Sequence, residues 1–197
     1  MKDINILVVG VGGQGTVLAG DILAEVGMLA GFDSKKSDIL GLAIRGGSVV
    51  SHIRWGDKVN APMAMVGTVD YLLAFEPLEA LRQLEYLNPE CTVVFNEYKI
   101  PPVDVSSGLA EYPEEEVINT SLRKTAKKVY SFNATGQALE IGSVKTVNVI
   151  LIGALSALID VDVPVWEEAI RKFVPAKYGE FNLKAFHKGR ELINAMK

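Results

Sequence analysis

Two glycine-rich stretches in the first quarter of the chain carry the residue types best suited to holding an anion. In the first, Gly10, Gly12 and Gly15 fall on a G-x-G-x-x-G pattern, with Gly13 and Gln14 between them, directly after the apolar run Ile4-Asn5-Ile6-Leu7-Val8-Val9. Glycines so placed let a strand turn sharply, let backbone approach a phosphate, and let helix and strand pack tightly. Amides at the helix start then face whatever anion sits there. Any α/β fold needs a tight first turn, so two readings stand: a phosphate-facing loop and a purely structural turn. In the second stretch Arg45 precedes Gly46, Gly47 and Ser48. A guanidinium grips a carboxylate or phosphate through two parallel hydrogen bonds, which makes Arg45 the candidate catalytic side chain. An ion pair at a subunit interface would use it equally well. Ser48 is a candidate polar contact or ordinary turn chemistry.

Other polar residues give weaker signals. Asp33 stands near the distance at which an acidic residue would hold the ribose of a dinucleotide, but it runs into Ser34-Lys35-Lys36-Ser37-Asp38, a poor match to that arrangement. His52 reads as a satisfied structural histidine, because no acid–base partner stands near it in sequence. His187 reads as solvated. Glu76 precedes Pro77 and suits the dipole of its own helix. Asn148 reads as a cap at the start of a buried helix.

The elements that must position these groups alternate between strand and helix. The pattern gives a strand ending at Gly10, a helix over 16–30, a short strand over 34–38 and an apolar loop over 39–47, unusual for a surface loop and suggestive of a covered position. A strand with period two follows over 48–55. Further strands are expected at 71–75, 92–96 and 129–133. Helices are expected at 77–87, ended by Asn88-Pro89, and at 114–128, acidic first and basic last. Residues 99–113 form a long connection with room for a hairpin, and Ala134-Thr135-Gly136 a turn. The nearly all-apolar 147–159 reads as a buried helix, followed by helices at 166–173 and 182–196. Small residues Gly20, Ala24, Gly27 and Gly31 line one face of the first helix, for packing on the sheet or on another subunit. The fold class is a three-layer α/β/α domain over 1–197 with a mostly parallel, possibly mixed sheet and a Rossmann-like glycine loop. Glu76, Asn96, Glu97, Asn133 and Thr135 stand at strand ends, where ligands of such folds sit.

Composition narrows the class. A net charge of −4 argues against a nucleic-acid partner. No run of about 20 apolar residues is present, so no membrane span is expected, and the start of the chain lacks the pattern of a signal peptide. A cytoplasmic setting follows, also because the single cysteine, Cys91, cannot form an internal disulfide. One cysteine cannot hold an iron–sulfur cluster or a structural zinc either.

Certain segments are more specific than any of these patterns. Gly10-Val11-Gly12-Gly13-Gln14-Gly15, the stretch from Gly41 through Arg45-Gly46-Gly47-Ser48-Val49-Val50-Ser51-His52, and Leu73-Ala74-Phe75-Glu76-Pro77-Leu78-Glu79-Ala80 occur in this order. Together with Val147-Asn148 and Asn182-Leu183-Lys184-Ala185-Phe186, they resemble the gamma-type subunit or domain of the 2-oxoacid:ferredoxin oxidoreductases. Within that family the pattern is most similar to the beta subunit of the indolepyruvate type. The resemblance implies oxidative decarboxylation of a 2-oxoacid, here indolepyruvate or another aryl pyruvate, to an acyl-CoA with reduction of ferredoxin. It also implies a complex that uses thiamine diphosphate, magnesium, iron–sulfur clusters and coenzyme A in anaerobic metabolism. The chain has neither a Gly-Asp-Gly thiamine motif nor a cysteine array, so these groups are expected on a larger partner subunit, with none held by this chain alone and no activity in isolation. Gly10, Gly12, Gly13, Gln14, Gly15, Arg45, Gly46, Gly47 and Ser48 are the candidate cofactor-binding residues, and none is a metal ligand. The loop would face coenzyme A, thiamine diphosphate or only the partner. The competing reading is a stand-alone Rossmann-type nucleotide-binding module; a third is a purely structural assembly subunit.

Overall fold

Aliphatic residues with few polar interruptions form the first strand, β1 (Ile4–Val11), in the middle of a six-stranded sheet. A computed structural model describes residues 3–41 and 46–197. After β1 come α1 (Thr16–Leu29), β2 (Asp33–Leu40), β3 (Ser48–Gly56), β4 (Val69–Ala74), α2 (Pro77–Leu81) and β5 (Leu87–Asn96). The single turn α3 (Val103–Ser106), α4 (Glu115–Thr125), β6 (Lys128–Phe132), α5 (Ala134–Ile141), α6 (Val147–Ser156), α7 (Val163–Phe173) and α8 (Gly179–Met196) complete the order. The sheet runs β2-β3-β1-β4-β5-β6. β1, β4, β5 and β6 are mutually parallel, and β3 is antiparallel to both β1 and β2. The sheet is therefore mixed, as the alternating pattern allowed.

Alternation along the strands divides the core. Ile6 and Val8 of β1 face α1, α5, α6, α7 and α8, while Leu7 and Val9 face α2 and α4. The first layer is anchored by Trp55, Trp166 and Phe186: the Trp55 and Trp166 rings are tilted with centroids 6.2 Å apart, and Phe186 stacks on Trp166 at 6.5 Å. The stripe on α1 packs on the protein's own sheet. A Cβ at Gly27 would fall 2.4 Å from the Trp55 indole, and one at Gly20 would meet Lys36 and Ser51. Trp55 Nε1 donates to Leu23 O at 3.1 Å across the same contact.

Several boundaries differ from the sequence expectation. β2 extends through Ile39 and Leu40, which stand exposed on a strand rather than in a loop. The expected helix over 77–87 stops at Leu81, with a 3-10 turn at Leu84–Tyr86, because Leu87 is drawn into the sheet opposite Val69. Asn88 and Pro89 then lie within β5. They are tolerated there because the β4–β5 register shifts between Val69 and Tyr71, and β6 pairs only from Thr92 onward. The connection over 99–113 contains a helical turn and no strand. Residues 134–136 open α5 instead of forming an isolated turn: Asn133 caps Gly136 N at 2.7 Å, and Gly142 (φ 115°) closes the helix with bonds to Ala138 and Leu139.

The tightest contact joins α6 to α8. A Cβ on Gly153 would lie 2.0 Å from Phe186 O, and one on Gly189 would lie 1.9 Å from Ile150 O. The obstructing atoms are backbone, so no rotamer change relieves the clash and the helices must separate. Gly153→Ala and Gly189→Ala are each expected to cost about 3 kcal/mol or more, the upper part of the overpacking range. Urea denaturation with an unchanged midpoint for either variant would contradict this packing.

Candidate functional site

The strand ends that carry the glycine loop are stapled to one another by side-chain amides. Gln14 Oε1 accepts from Val11 N at 2.8 Å and Gln14 Nε2 donates to Phe75 O at 3.1 Å, joining β1 to the end of β4. Asn96 Nδ2 donates to the same Phe75 carbonyl at 3.2 Å and to Thr135 Oγ1 at 3.0 Å, while Asn96 Oδ1 accepts from Thr135 N at 3.3 Å. One hydrogen-bonded chain thus runs across the carboxyl ends of β1, β4 and β5 to the start of α5. Each end of the Gln14 carboxamide makes one bond in this chain, so its side chain is a strut between β1 and β4.

The glycines of the loop do separate jobs. At Gly10 a Cβ would come within 3.0 Å of Gln14, Thr16 and Phe75, so this position is closed by packing. Gly13 (φ 100°) and Gly15 (φ 83°) adopt the left-handed region, with Gly13 exposed and nothing near its missing Cβ. Gly12 extends the β1–β3 ladder: its N donates to Gly47 O at 2.8 Å, and Gly46 N donates to Gly12 O at 3.4 Å. The two glycine stretches are therefore neighbours. α1 opens behind them with Gly15 as N-cap, no side-chain cap and no acidic residue in its first turn. Its leading amides have no partners within the helix and their dipole favours an anion.

Ser48, the first residue of β3, donates its hydroxyl to Glu79 Oε2 at 2.5 Å. Glu79 is 1% exposed and its Oε1 accepts from Arg82 Nη1 at 2.6 Å. Burial pushes the Glu79 carboxyl up, against the opposing pull of Ser48 and Arg82. Glu76 caps α2 as its position before Pro77 suggested, accepting from Glu79 N at 3.0 Å, and it also accepts from Ile100 N at 3.2 Å and from the Tyr112 hydroxyl. Burial and the Glu76 carboxylate push the Tyr112 phenol well above its ordinary range, so it stays a donor.

The remaining candidates scatter. Arg45 lies outside the described residues. His52 is fully buried in the middle of β3, away from the rim, opposite Leu7 and Ser37; its Nδ1 accepts from Ala64 N at 3.3 Å, its Nε2 has no partner among the described residues, and Tyr86 meets it edge-on. His187 bonds Glu167 at 2.9 Å. Asn148 is not the cap of α6: it lies one residue inside, its Oδ1 accepts from Val149 N, and its Nδ2 would meet a Cβ on Gly15 at 3.1 Å. It supports the loop from beneath. Asp33 begins β2 opposite Gly56, at the other end of the sheet from the glycine loop, bonded to Lys35 and Val59 N. It cannot serve as the ribose carboxylate of a dinucleotide held at that loop. Sequence reasoning missed Glu79 as part of the site; its spacing from Glu76 marks a helix start, but nothing local indicates the bond to Ser48.

The described residues offer little to a metal or an iron–sulfur cluster. Cys91 is fully buried and burial pushes its thiol up to about 12, so it is no thiolate ligand. No group of three His, Cys, Asp or Glu suited to a metal occurs among them, and no helix among them is long and apolar enough to cross a membrane.

Comparison with known proteins gives a full-length match. The model of the family described as pyruvate ferredoxin/flavodoxin oxidoreductase matches residues 5–192. The chain is 39% identical to indolepyruvate oxidoreductase subunit IorB of Pyrococcus horikoshii, over 98% of this chain and 100% of that one. It is 41% identical to the subunit of the same name in Archaeoglobus fulgidus, over 94% and 93%. Among solved structures it resembles the gamma subunit of a keto/oxoacid ferredoxin oxidoreductase from Geobacter sulfurreducens, with a TM-score of 0.72 and 25% identity over 98% of this chain and 99% of that one.

Two measurements test the geometry. Gln14→Leu removes both bonds of the strut and is expected to cost about 1–2 kcal/mol, with faster hydrogen exchange at Val11 N; unchanged exchange there would refute the strut. Burial holds the His52 imidazole below its ordinary value of 6.5. Below that pH the unfolded chain binds a proton that the folded chain refuses, so the His52 contribution is intact above about pH 6.5 and declines as pH falls toward the folded-state value. The urea midpoint is expected to fall less between pH 7.5 and 5.0 in His52→Gln than in the parent; equal slopes would contradict the burial argument.

Proposed function

The chain belongs to the pyruvate ferredoxin/flavodoxin oxidoreductase family, and from that membership we propose that it is the gamma-type subunit of an indolepyruvate:ferredoxin oxidoreductase. The carrying observation is the full-length likeness, at 39% and 41% identity, to subunits named for indolepyruvate. The complex would convert an aryl pyruvate and coenzyme A to an acyl-CoA and carbon dioxide, passing electrons to ferredoxin. A larger subunit would carry thiamine diphosphate, magnesium and the iron–sulfur clusters, for which the described residues offer no ligand set.

In this reading the glycine loop docks the pyrophosphate of coenzyme A. Its support is the uncapped N-terminus of α1 behind Gly13 and Gly15, held in shape by Gln14 and Asn148 and joined to Gly46 and Gly47. Backbone amides and the helix dipole supply the attraction for phosphate, and the Arg45 guanidinium is the candidate side chain for a second contact. The stand-alone dinucleotide module loses its support with Asp33 at the far end of the sheet.

Gly13→Asp places a negative charge in the open space before α1. Positive φ costs it roughly 1 kcal/mol, so the fold is expected to survive. In the assembled complex, assayed by ferredoxin reduction with indolepyruvate, the KM for coenzyme A is expected to rise about tenfold, equivalent to 1.4 kcal/mol, with the KM for indolepyruvate unchanged. Equal kinetics in variant and parent would refute the loop as the docking point, and full activity of the large subunit alone would refute the subunit reading.

A further inference from the structure

Glu79 is a buried carboxylate that the chemistry above does not use. It lies 1% exposed on α2, and its two oxygens reach only two side chains among the described residues, Ser48 and Arg82. Burying a carboxylate is costly, and pairing it with the half-exposed Arg82 recovers little through a screened contact. Buried ion pairs of this kind are often replaceable by apolar residues at no loss of stability. What the carboxylate secures is a hydroxyl on another element: Ser48, 31 residues away in sequence, at the first rung of β3 opposite Val11. The next rung is Gly12 against Gly47, and Gly46 donates back to Gly12. The base from which Glu79 reaches is itself fixed, since its own N donates to Glu76, which is held by Ile100 N and the Tyr112 hydroxyl.

We propose that Glu79 is a positioning residue: by holding the Ser48 hydroxyl it sets the Gly46-Gly47 segment, and through Gly12 the shape of the glycine loop, for the pyrophosphate of coenzyme A. The proposal rests on the reading of that loop as the coenzyme A docking point. It assigns α2 a part in coenzyme A affinity although α2 offers no group to the ligand. The bond is short and one of its ends is buried, so little side-chain freedom remains for the loop's second strand to lose on binding.

The test uses the complex assembled with its large subunit. Ser48→Ala removes the bond from its less buried end and keeps the variant foldable. It is expected to raise the KM for coenzyme A five- to tenfold, with kcat and the KM for indolepyruvate within twofold. Glu79→Ala is expected to match it, and the double variant to be no worse than either single one, because both remove the same bond. Glu79→Gln, which keeps an oxygen to accept from Ser48, is expected to restore the KM for coenzyme A to within about twofold. A structural role alone would lower the melting temperature and the yield of complex while leaving the KM for coenzyme A in place. That result, or additive effects in the double variant, overturns the proposal. If Gly13→Asp raises the KM for coenzyme A and Ser48→Ala does not, the positioning role fails and the loop reading stands. If Gly13→Asp does nothing, the loop reading fails and this proposal falls with it.

Discussion

The carbonyl of Phe75, at the end of β4, accepts from Gln14 and from Asn96 and so holds the ends of three parallel strands at one level. A carbonyl has two lone pairs, and at a strand end in a parallel sheet neither is guaranteed a partner. Filling both with side-chain amides, one from the loop after β1 and one from the end of β5, turns an orphan group into a bracket. The bracket also fixes the turn after β1, because Gln14 Oε1 simultaneously accepts from Val11 N. The course of the glycine loop, the entry into α1 and the contact with Gly46 and Gly47 all follow from where that bracket places residues 10–15.

Around this rim the molecule places its polar side chains in support of backbone and not toward solvent. Asn148 lies beneath Gly15, Thr135 is held by Asn96, and Glu76 and Glu79 tie α2 to the connection after β5 and to β3. Buried polar groups of this kind are costly unless satisfied; Thr135, Glu76 and Glu79 are hydrogen-bonded to side chains and backbone, while Thr16 Oγ1 at the head of α1 has no partner among the described residues. The result is a backbone surface of preset shape with the dipole of α1 behind it, the feature on which the proposed phosphate docking rests. That arrangement fits a subunit that contributes a docking surface to a larger enzyme whose redox groups lie elsewhere.

The opposite requirement governs the core under α6. There Gly153 and Gly189 remove side chains so that two helix backbones touch, and α6 is buried along its whole length. A helix that is apolar all round cannot lie on a surface, which is why its burial was legible from the run over 147–159 alone. Its partner was not legible: glycines in α8 carry no sign of which helix they admit.

Local residue order was enough for β1, α1, β3, α4 and α6, because each has its own periodicity, charge order or turn glycines; it did not reveal the pairing of β2 with β3 through Ile39 and Leu40, read as loop in the sequence. It was enough, too, for the family, since ordered segments such as Arg45-Gly46-Gly47-Ser48 and Phe75-Glu76-Pro77-Leu78-Glu79-Ala80 are specific as strings. Where local signals conflicted with pairing, pairing prevailed. Pro89 entered β5 because a register shift freed its position, and Leu87 left a helix for a place opposite Val69. α5 was hidden because Asn133 and Gly136 read equally as a turn or as a helix start, and only packing of Ala134 and Ala138 into the core distinguishes them. The roles of Gln14, Asn96, Asn148 and Glu79 were decided by tertiary structure alone. Each bonds or touches a residue distant in sequence, and a side chain's partner across such a distance is fixed by the folded geometry, which residue type and spacing do not encode.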